Sequence, residues 1–419
     1  MKKINEIKEL YSFFEKGTEN SFEFELGKVQ DIILSAPHAV SQTREGKVKF
    51  AEPESGIIAK LLNKYYGYTI IYKSKNMGDD ANFDADSPYK KFLCEKCKEL
   101  KPLIVLDLHE LSKTRECQVN LGTGYGNTVL HDAEIINNLI NCLNREGVKK
   151  IVTDHPFASK TDTIATNVSK NANTKAMQVE LNYGYLTKSR KNLFRVIKAI
   201  HNFCTALRTQ NEIRQKNIDI SELYSLDEEF YKTQGQTDFE YSVGDSQIVI
   251  SAPHAKAGMV NNKVKLSESM TGVICKVFNR EFNFSTIYKS RDNNEDYFNS
   301  LKNPYKEILF KKLITKNTKL VLELHIINKD RFEDLLMFLP QKYDNFKTYQ
   351  IINILNKNNI GKFSINSIFD QNKKTRITNQ VKGNSFKLQL CFNARLIEDK
   401  NKFENVILTL KDIISIFVD

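Results

Sequence analysis

The chain repeats itself, and the repeat fixes the architecture before any single motif is read. SAPHA at Ser35–Ala39 returns at Ser251–Ala255, 216 residues later. With that offset and no gap, the correspondence runs to Arg115 and Arg331, and about a third of the positions are identical. It pairs Lys47–Lys49 with Lys263–Lys265, Glu52 with Glu268, Gly56 with Gly272 and Ile71–Ser74 with Ile287–Ser290. It goes on to pair Asp80 with Asp296, Pro88–Lys90 with Pro304–Lys306, and VLDLH (Val105–His109) with VLELH (Val321–His325). Further on, MQVELN (Met177–Asn182) finds its partner in LQLCFN (Leu388–Asn393), the second copy having lost about five residues in between. Leu10-Tyr11-Ser12 likewise resembles Leu223-Tyr224-Ser225. A 419-residue chain of this kind is expected to form two homologous domains, 1–212 and 213–419, each long enough for a core of its own.

Periodicity gives the class of each unit. Asp31–Ala36, Tyr68–Tyr72, Leu103–Leu108 and Ala176–Leu181 are short apolar runs that read as buried strands. Between them, Glu54–Tyr65, Tyr89–Leu100, Asp132–Leu143 and Asn192–Leu207 carry apolar residues at helical spacing. Strands alternating with helices predict two tandem three-layer α/β/α units, each a mostly parallel or mixed sheet covered by helices on both faces. In such sheets ligands gather at the carboxyl ends of strands. His38 and His109 fall just past predicted strand ends, and Glu180 lies near another.

The composition is that of an ordinary globular protein, with 41% hydrophobic and 27% charged residues, and it excludes few functions. The first residues, MKKINEIKELYSFFEKG, lack the apolar run of a signal peptide, and no stretch is apolar enough to span a bilayer; a cytoplasmic protein is expected. The net charge of +11 comes from lysines spread along the whole chain, without an arginine cluster or an aromatic-interleaved basic stripe. Nucleic acid is therefore the weakest of the partner readings. Cys94 and Cys97 form a lone CxxC with no second pair, which suits reduced structural thiols better than a zinc knuckle.

Of only seven histidines, four sit at repeat-equivalent positions: His38 with His254, and His109 with His325. Packing alone does not require imidazoles at both places in both copies. Two histidines and a carboxylate form a zinc-binding set that leaves a position for water. The repeat selects the acid: Glu52 is matched by Glu268, whereas Glu54 is matched by Met270. Glu54 then belongs to the first turn of a helix, where negative charge suits the macrodipole. Asp107, matched by Glu323, shares a strand face with His109. It either orients that imidazole or is a salt-bridged carboxylate at the sheet edge. GTGYG (Gly122–Gly126) reads as a tight turn, and His155 as a loop residue near the site.

In order and spacing, SAPHA, EPESGIIAKLL, VLDLH, RECQVNLGTGYGNT and HPFASKTDTIATNVSK leading into AMQVELN resemble the N-formylglutamate amidohydrolase family, over residues 30–205 and more weakly in the second copy. That family shares its fold with zinc carboxypeptidases and poly-γ-glutamate hydrolases. The resemblance implies that His38, Glu52 and His109 hold Zn2+, that Glu180 is the general acid/base, and that Arg115 binds a substrate carboxylate or the polarised carbonyl. It implies a small-molecule or peptide substrate that carries a carboxylate. A zinc ion lowers the pKa of bound water to about 7, a glutamate can relay its proton, and an arginine pairs with a carboxylate through two parallel bonds.

His254, Glu268, His325 and Arg331 form a second candidate set, but Cys391 replaces Glu180 there. A thiol does not substitute for the carboxylate in proton transfer, so the C-terminal unit is expected to be degenerate, with scaffolding or binding as its role. Linked units of this kind are expected to pack as a pseudo-dimer. The alternative to an amide hydrolase is a non-catalytic, metal-stabilised protein that binds a peptide or acidic ligand.

Overall fold

The computed structural model describes residues 2–244, 247–260, 263–298, 300, 302–339, 344–365, 380–381 and 383–418. The chain divides into two compact units, Met1–Arg208 and Thr209–Val418. No helix among the described residues is long and apolar enough to cross a membrane.

The N-terminal unit runs α1 (Lys2–Lys16), β1 (Phe22–Glu25), β2 (Val29–Ala36), β3 (Gln42–Arg44), β4 (Lys47–Lys49), α2 (Pro53–Tyr66), β5 (Tyr68–Lys73), α3 (Pro88–Leu100) and β6 (Ile104–Leu111). It continues with β7 (Val119–Gly122), α4 (Ala133–Arg145), β8 (Ile151–Thr153), α5 (Ile164–Ala172), β9 (Ala176–Asn182), α6 (Tyr183–Lys188) and α7 (Arg190–Gln215). Seven strands form one mixed sheet in the order β1-β5-β2-β6-β9-β7-β8. The central four, β5, β2, β6 and β9, are parallel; β1 is antiparallel to β5, and β7 to β9.

Both faces of this sheet are covered, as alternating side chains require. Ile32, Leu34, Leu106, Leu108, Met177 and Val179 face a core built with α2, α4 and α7. Ile33, Val105 and Ala176 face the opposite core, built with Tyr89, Leu93, Cys94 and Cys97 of α3 and Ile164, Ala165 and Val168 of α5. Cys94 and Cys97 are thus buried free thiols. Local signals start the helices: Pro88 opens α3 after Ser87, whose hydroxyl accepts from the Lys90 amide. Gly56 is needed for packing. A Cβ there would meet the Phe14 ring at 2.5 Å and the Ala39 Cβ at 2.7 Å, so only glycine lets α1 and the His38 turn close on α2.

The C-terminal unit runs α8 (Ile220–Lys232), β10 (Phe239–Ser242), β11 (Ile248–Ala252), β12 (Gly258–Val260), β13 (Lys263–Lys265), α9 (Ser269–Phe282), β14 (Ser285–Lys289), β15 (Leu320–Ile327), β16 (Leu335–Phe338), β17 (Phe363–Ile365) and β18 (Phe386–Asn393), with further helices after α9. Its sheet order, β10-β14-β11-β15-β18-β16-β17, repeats the first unit strand for strand. Gly272 repeats the role of Gly56, against Phe230 and Ala255.

Two boundaries differ from the sequence reading. His109 lies inside β6, which runs on to Leu111; its pairing with β9 keeps the strand extended past the predicted end. The closing helix, expected over Asn192–Leu207, extends to Gln215, so the polar stretch beyond its expected end is largely helical.

Candidate metal centre and its cleft

Adjacent parallel strands bring the candidate residues together. β2 ends at Ala36, and the turn that follows presents His38. β6 presents His109, and β9 presents Glu180 directly opposite it in register. Glu52 arrives from the N-cap of α2. The β3–β4 hairpin takes up much of the chain between His38 and Glu52. The Glu52 amide then donates to the His38 carbonyl at 2.7 Å, closing the loop.

An N-cap glutamate in this position makes no side-chain capping bond. Its carboxylate is turned to the histidines instead, and the helix amides find another acceptor: Glu110 Oε1 takes the Glu54 amide at 2.7 Å and the Ser55 amide at 3.3 Å. Glu54 sits in the first turn as expected, but it is buried and accepts from the Tyr11 hydroxyl.

Three donor atoms converge. His38 Nδ1 is 3.0 Å from Glu52 Oε1 and 3.2 Å from His109 Nδ1, and His109 Nδ1 is 3.3 Å from Glu52 Oε2. Each imidazole is held from behind through Nε2: His38 by Asp80 Oδ1 at 2.9 Å, and His109 by Asp107 Oδ2 at 3.0 Å. Asp107 is buried and accepts from Ser35 Oγ at 2.8 Å. Asp80 also accepts from the Asn82 and Phe83 amides and from Arg44. The Glu110 amide steadies Glu52 Oε2 at 2.9 Å.

The electrostatics suit a cation. Burial works against a charged His38, yet the neighbouring charge of Glu52 and its bonds to Asp80 and Glu52 push it up to about 9. His109 is raised well above its ordinary value against the same burial, by Asp107 and Glu52. Burial favours a neutral Glu52, but the two histidines hold it down at about 2. Three carboxylates around two imidazoles thus draw positive charge inward. The inward atoms, two imidazole nitrogens and a carboxylate, form a donor set that fits a divalent ion.

Beside this centre lies a cleft of about 590 Å3, lined among others by Arg44, Asn82, Tyr125, His155, Phe157, Lys160 and Glu180. Glu180 is buried, accepts from Gln178 Nε2 at 2.6 Å, and is pushed up to about 7, chiefly by burial. The GTGYG turn follows β7 and brings Tyr125 to the wall. Arg115 is exposed and does not line the cleft; its guanidinium stands 5.9 Å from the ring centroid of Phe157, which does. Lys90 Nζ donates to the Asp84 and Asp162 carbonyls, and Asn82 Oδ1 accepts from the Ile164 amide at 2.8 Å; together they tie two loops of the cleft to each other. Sequence reasoning passed over Asp80, Arg44 and Gln178. Asp80 had a signal in its retained partner Asp296, whereas Arg44 had none.

The C-terminal set converges less tightly. His254 Nδ1 is 3.7 Å and His325 Nδ1 3.4 Å from the Glu268 carboxylate. Glu323 holds His325 Nε2 at 3.0 Å. Neither ring nitrogen of His254, however, has a hydrogen-bond partner among the described residues. These three side chains could also hold an ion. Two neighbours set this centre apart: Lys265 Nζ lies 2.6 Å from Glu268 Oε1, and the Phe298 ring packs against both imidazoles, with centroids 5.3 and 4.9 Å away. Phe298 occupies the repeat position of Asn82. Cys391 pairs in register with His325 as Glu180 does with His109.

No family model and no curated protein matches the chain. Solved structures do. A gene product of Agrobacterium tumefaciens is similar with TM-score 0.36 and 10% identity, over 48% of this chain and 98% of that one. A bacteriophage poly-γ-glutamate hydrolase is similar with TM-score 0.32 and 13% identity, over 44% and 89%. The N-formylglutamate amidohydrolase of Ralstonia eutropha is similar with TM-score 0.29 and 12% identity, over 43% and 97%.

Proposed function

We propose that the N-terminal unit is a Zn2+-dependent hydrolase that cleaves an amide bond near a free carboxylate, in an N-acyl amino acid or a peptide. The observation that carries this reading is the convergence of His38, Glu52 and His109, each imidazole backed by an acid, beside a cleft into which Glu180 also opens.

His38, Glu52 and His109 would hold the ion, which when bound acidifies water and polarises a carbonyl. Asp80 and Asp107 keep the Nδ1 atoms pointed inward by fixing the Nε2 protons. Glu180 is the acid/base. Burial raises its proton affinity to the range where it can take a proton and release it again near neutrality. It accepts a proton from the attacking water as the new C–O bond forms, then gives that proton to the departing nitrogen as the C–N bond breaks. Gln178 holds the Glu180 carboxylate in place through Oε1.

The C-terminal unit is read as non-catalytic. It has Cys391 where the acid would be, and the Phe298 ring packs against both imidazoles of its centre. The alternative for the whole chain is a metal-stabilised binding protein without turnover. The two readings separate in one experiment: metal analysis of the purified chain, with a hydrolysis screen of N-formyl amino acids and short peptides using wild type and Glu180→Gln. Bound metal with turnover that Glu180→Gln abolishes supports the hydrolase; bound metal with no turnover of any compound leaves the binding protein.

A further inference from the structure

Two cations on the cleft wall have no part in the chemistry above. Arg44, at the end of β3, donates through Nε to Asp80 Oδ2 at 2.8 Å, and its Nη2 lies 2.8 Å from the same oxygen. Its guanidinium carbon stands 4.6 Å from the Phe83 ring centroid. These contacts fix the plane of the group, and Nη1 has no protein partner among the described residues. Lys160 rests 5.1 Å from the Tyr125 ring centroid and has no ion pair among the described residues.

The acids on the same wall are all engaged. Glu52 faces the histidines, and Glu110 accepts from the first amides of α2. Asp154 accepts from the Thr123 amide and hydroxyl, and Glu180 accepts from Gln178. Hydrogen bonds hold these acids in place without cancelling their charge, and Asp80 balances Arg44; what the wall offers a ligand is the Lys160 ammonium and a guanidinium with one edge fixed and the other free, which suits a carboxylate.

The repeat separates this arginine from Arg115. Arg331 matches Arg115 in a unit that has already lost the acid, so that arginine persists without the chemistry. Its loop is tied down through the backbone in both copies. Asn182 Nδ2 donates to the Arg115 carbonyl at 3.0 Å, and Asn393 Nδ2 to the Arg331 carbonyl at 3.3 Å. Arg44, by contrast, is matched by Val260. The arginine lost together with Glu180 is the one in the cleft.

We infer that Arg44, through Nη1, receives the carboxylate of the substrate and sets the preference for anionic amides, with Lys160 adding positive charge to the same cleft. The role rests on the hydrolase reading, but the binding of an anion can be measured apart from it. The test uses the full metal-loaded chain and an N-acyl amino acid offered with its free α-carboxylate or as the α-carboxamide. Wild type is expected to favour the carboxylate. Arg44→Met is expected to raise KM for the carboxylate about tenfold or more while kcat, carboxamide turnover and metal content change less than about twofold, and Arg44→Lys recovers part of the loss. Because Arg44 also braces Asp80, an indirect effect through His38 would depress both compounds and the metal content together; that result overturns the inference. So does a preference that survives Arg44→Met, or one removed by Arg115→Met instead. A calorimetric titration with glutarate reads the same group without turnover. If neither amide is hydrolysed, glutarate binding weakened about tenfold in Arg44→Met still supports the anion role, independently of the hydrolase reading. Glutarate binding untouched by Arg44→Met overturns it.

Discussion

The amide of Glu52 donates to the carbonyl of His38 at 2.7 Å while its carboxylate lies 3.0 Å from the same residue's Nδ1. Backbone and side chain therefore set one geometry between residues well apart in sequence. The same amide-to-carbonyl bond joins Glu268 to His254 at 2.8 Å, so the scaffold for the centre outlived the divergence of the two copies.

Because the Glu52 backbone stays in place whatever its side chain, Glu52→Gln should fold normally and lose metal. Elemental analysis after dialysis should show N-terminal occupancy falling to a minor fraction, with unchanged circular dichroism and a lowered Tm, since an ion that binds only the folded state stabilises it.

The acids behind the imidazoles should matter almost as much as the ligands. Asp80→Asn and Asp107→Asn each leave a hydrogen-bond acceptor in place but remove the charge that favours an inward-facing Nδ1 donor. Each is expected to weaken metal affinity about 10–100-fold, as read by competition with a chelator of known affinity.

The two units should respond unequally to the same change. His38→Ala is expected to abolish hydrolysis, whereas His254→Ala should leave kcat/KM within about twofold of wild type. Equal losses from the two variants would contradict the assignment of catalysis to the first unit.

Glu180 gives the pH profile its sign. As the acceptor of the water proton it works ionised, so kcat/KM should rise with pH. The midpoint should lie at or below about 7, the value to which burial, opposed by the two imidazoles, pushes the carboxyl; a divalent cation next to it lowers that midpoint further. Glu180→Gln should remove the acid limb along with most of the rate, measured as kcat/KM from pH 4 to 9.

Gly56 offers a test of the fold rather than the site. With the Phe14 ring at 2.5 Å from the missing Cβ, Gly56→Ala should cost about 1–3 kcal/mol by denaturant titration. Phe14→Leu in the same chain should relieve part of that loss.

Much of this architecture was legible in the residues because the duplication served as an internal control. It separated Glu52 from Glu54 and picked out two histidine pairs among seven histidines. The four central strands carried continuous apolar runs, as strands buried on both faces do. What stayed hidden were elements whose pattern is short or mixed. β7, β8 and the β3–β4 hairpin have three or four residues in each strand, too few for a period to show. Arg44 was hidden for the same reason: it lies on that hairpin, where it braces Asp80 and lines the cleft, and it has no counterpart in the other copy. Arg115 drew attention because it recurs; its side chain is exposed beside Phe157, and its backbone carbonyl accepts from Asn182 as that of Arg331 does from Asn393.

Position 82 carries a further contrast between the two copies. As asparagine it anchors the first turn of α5 through the Ile164 amide; as Phe298 it can accept no such bond and instead covers two imidazoles. The two copies therefore differ here by a strut to α5 in one and an aromatic contact with both imidazoles in the other. Cys391→Glu alone would restore a carboxylate opposite His325 but leave the Phe298 ring against both imidazoles, so hydrolysis by the second unit is expected only when Cys391→Glu is combined with Phe298→Asn.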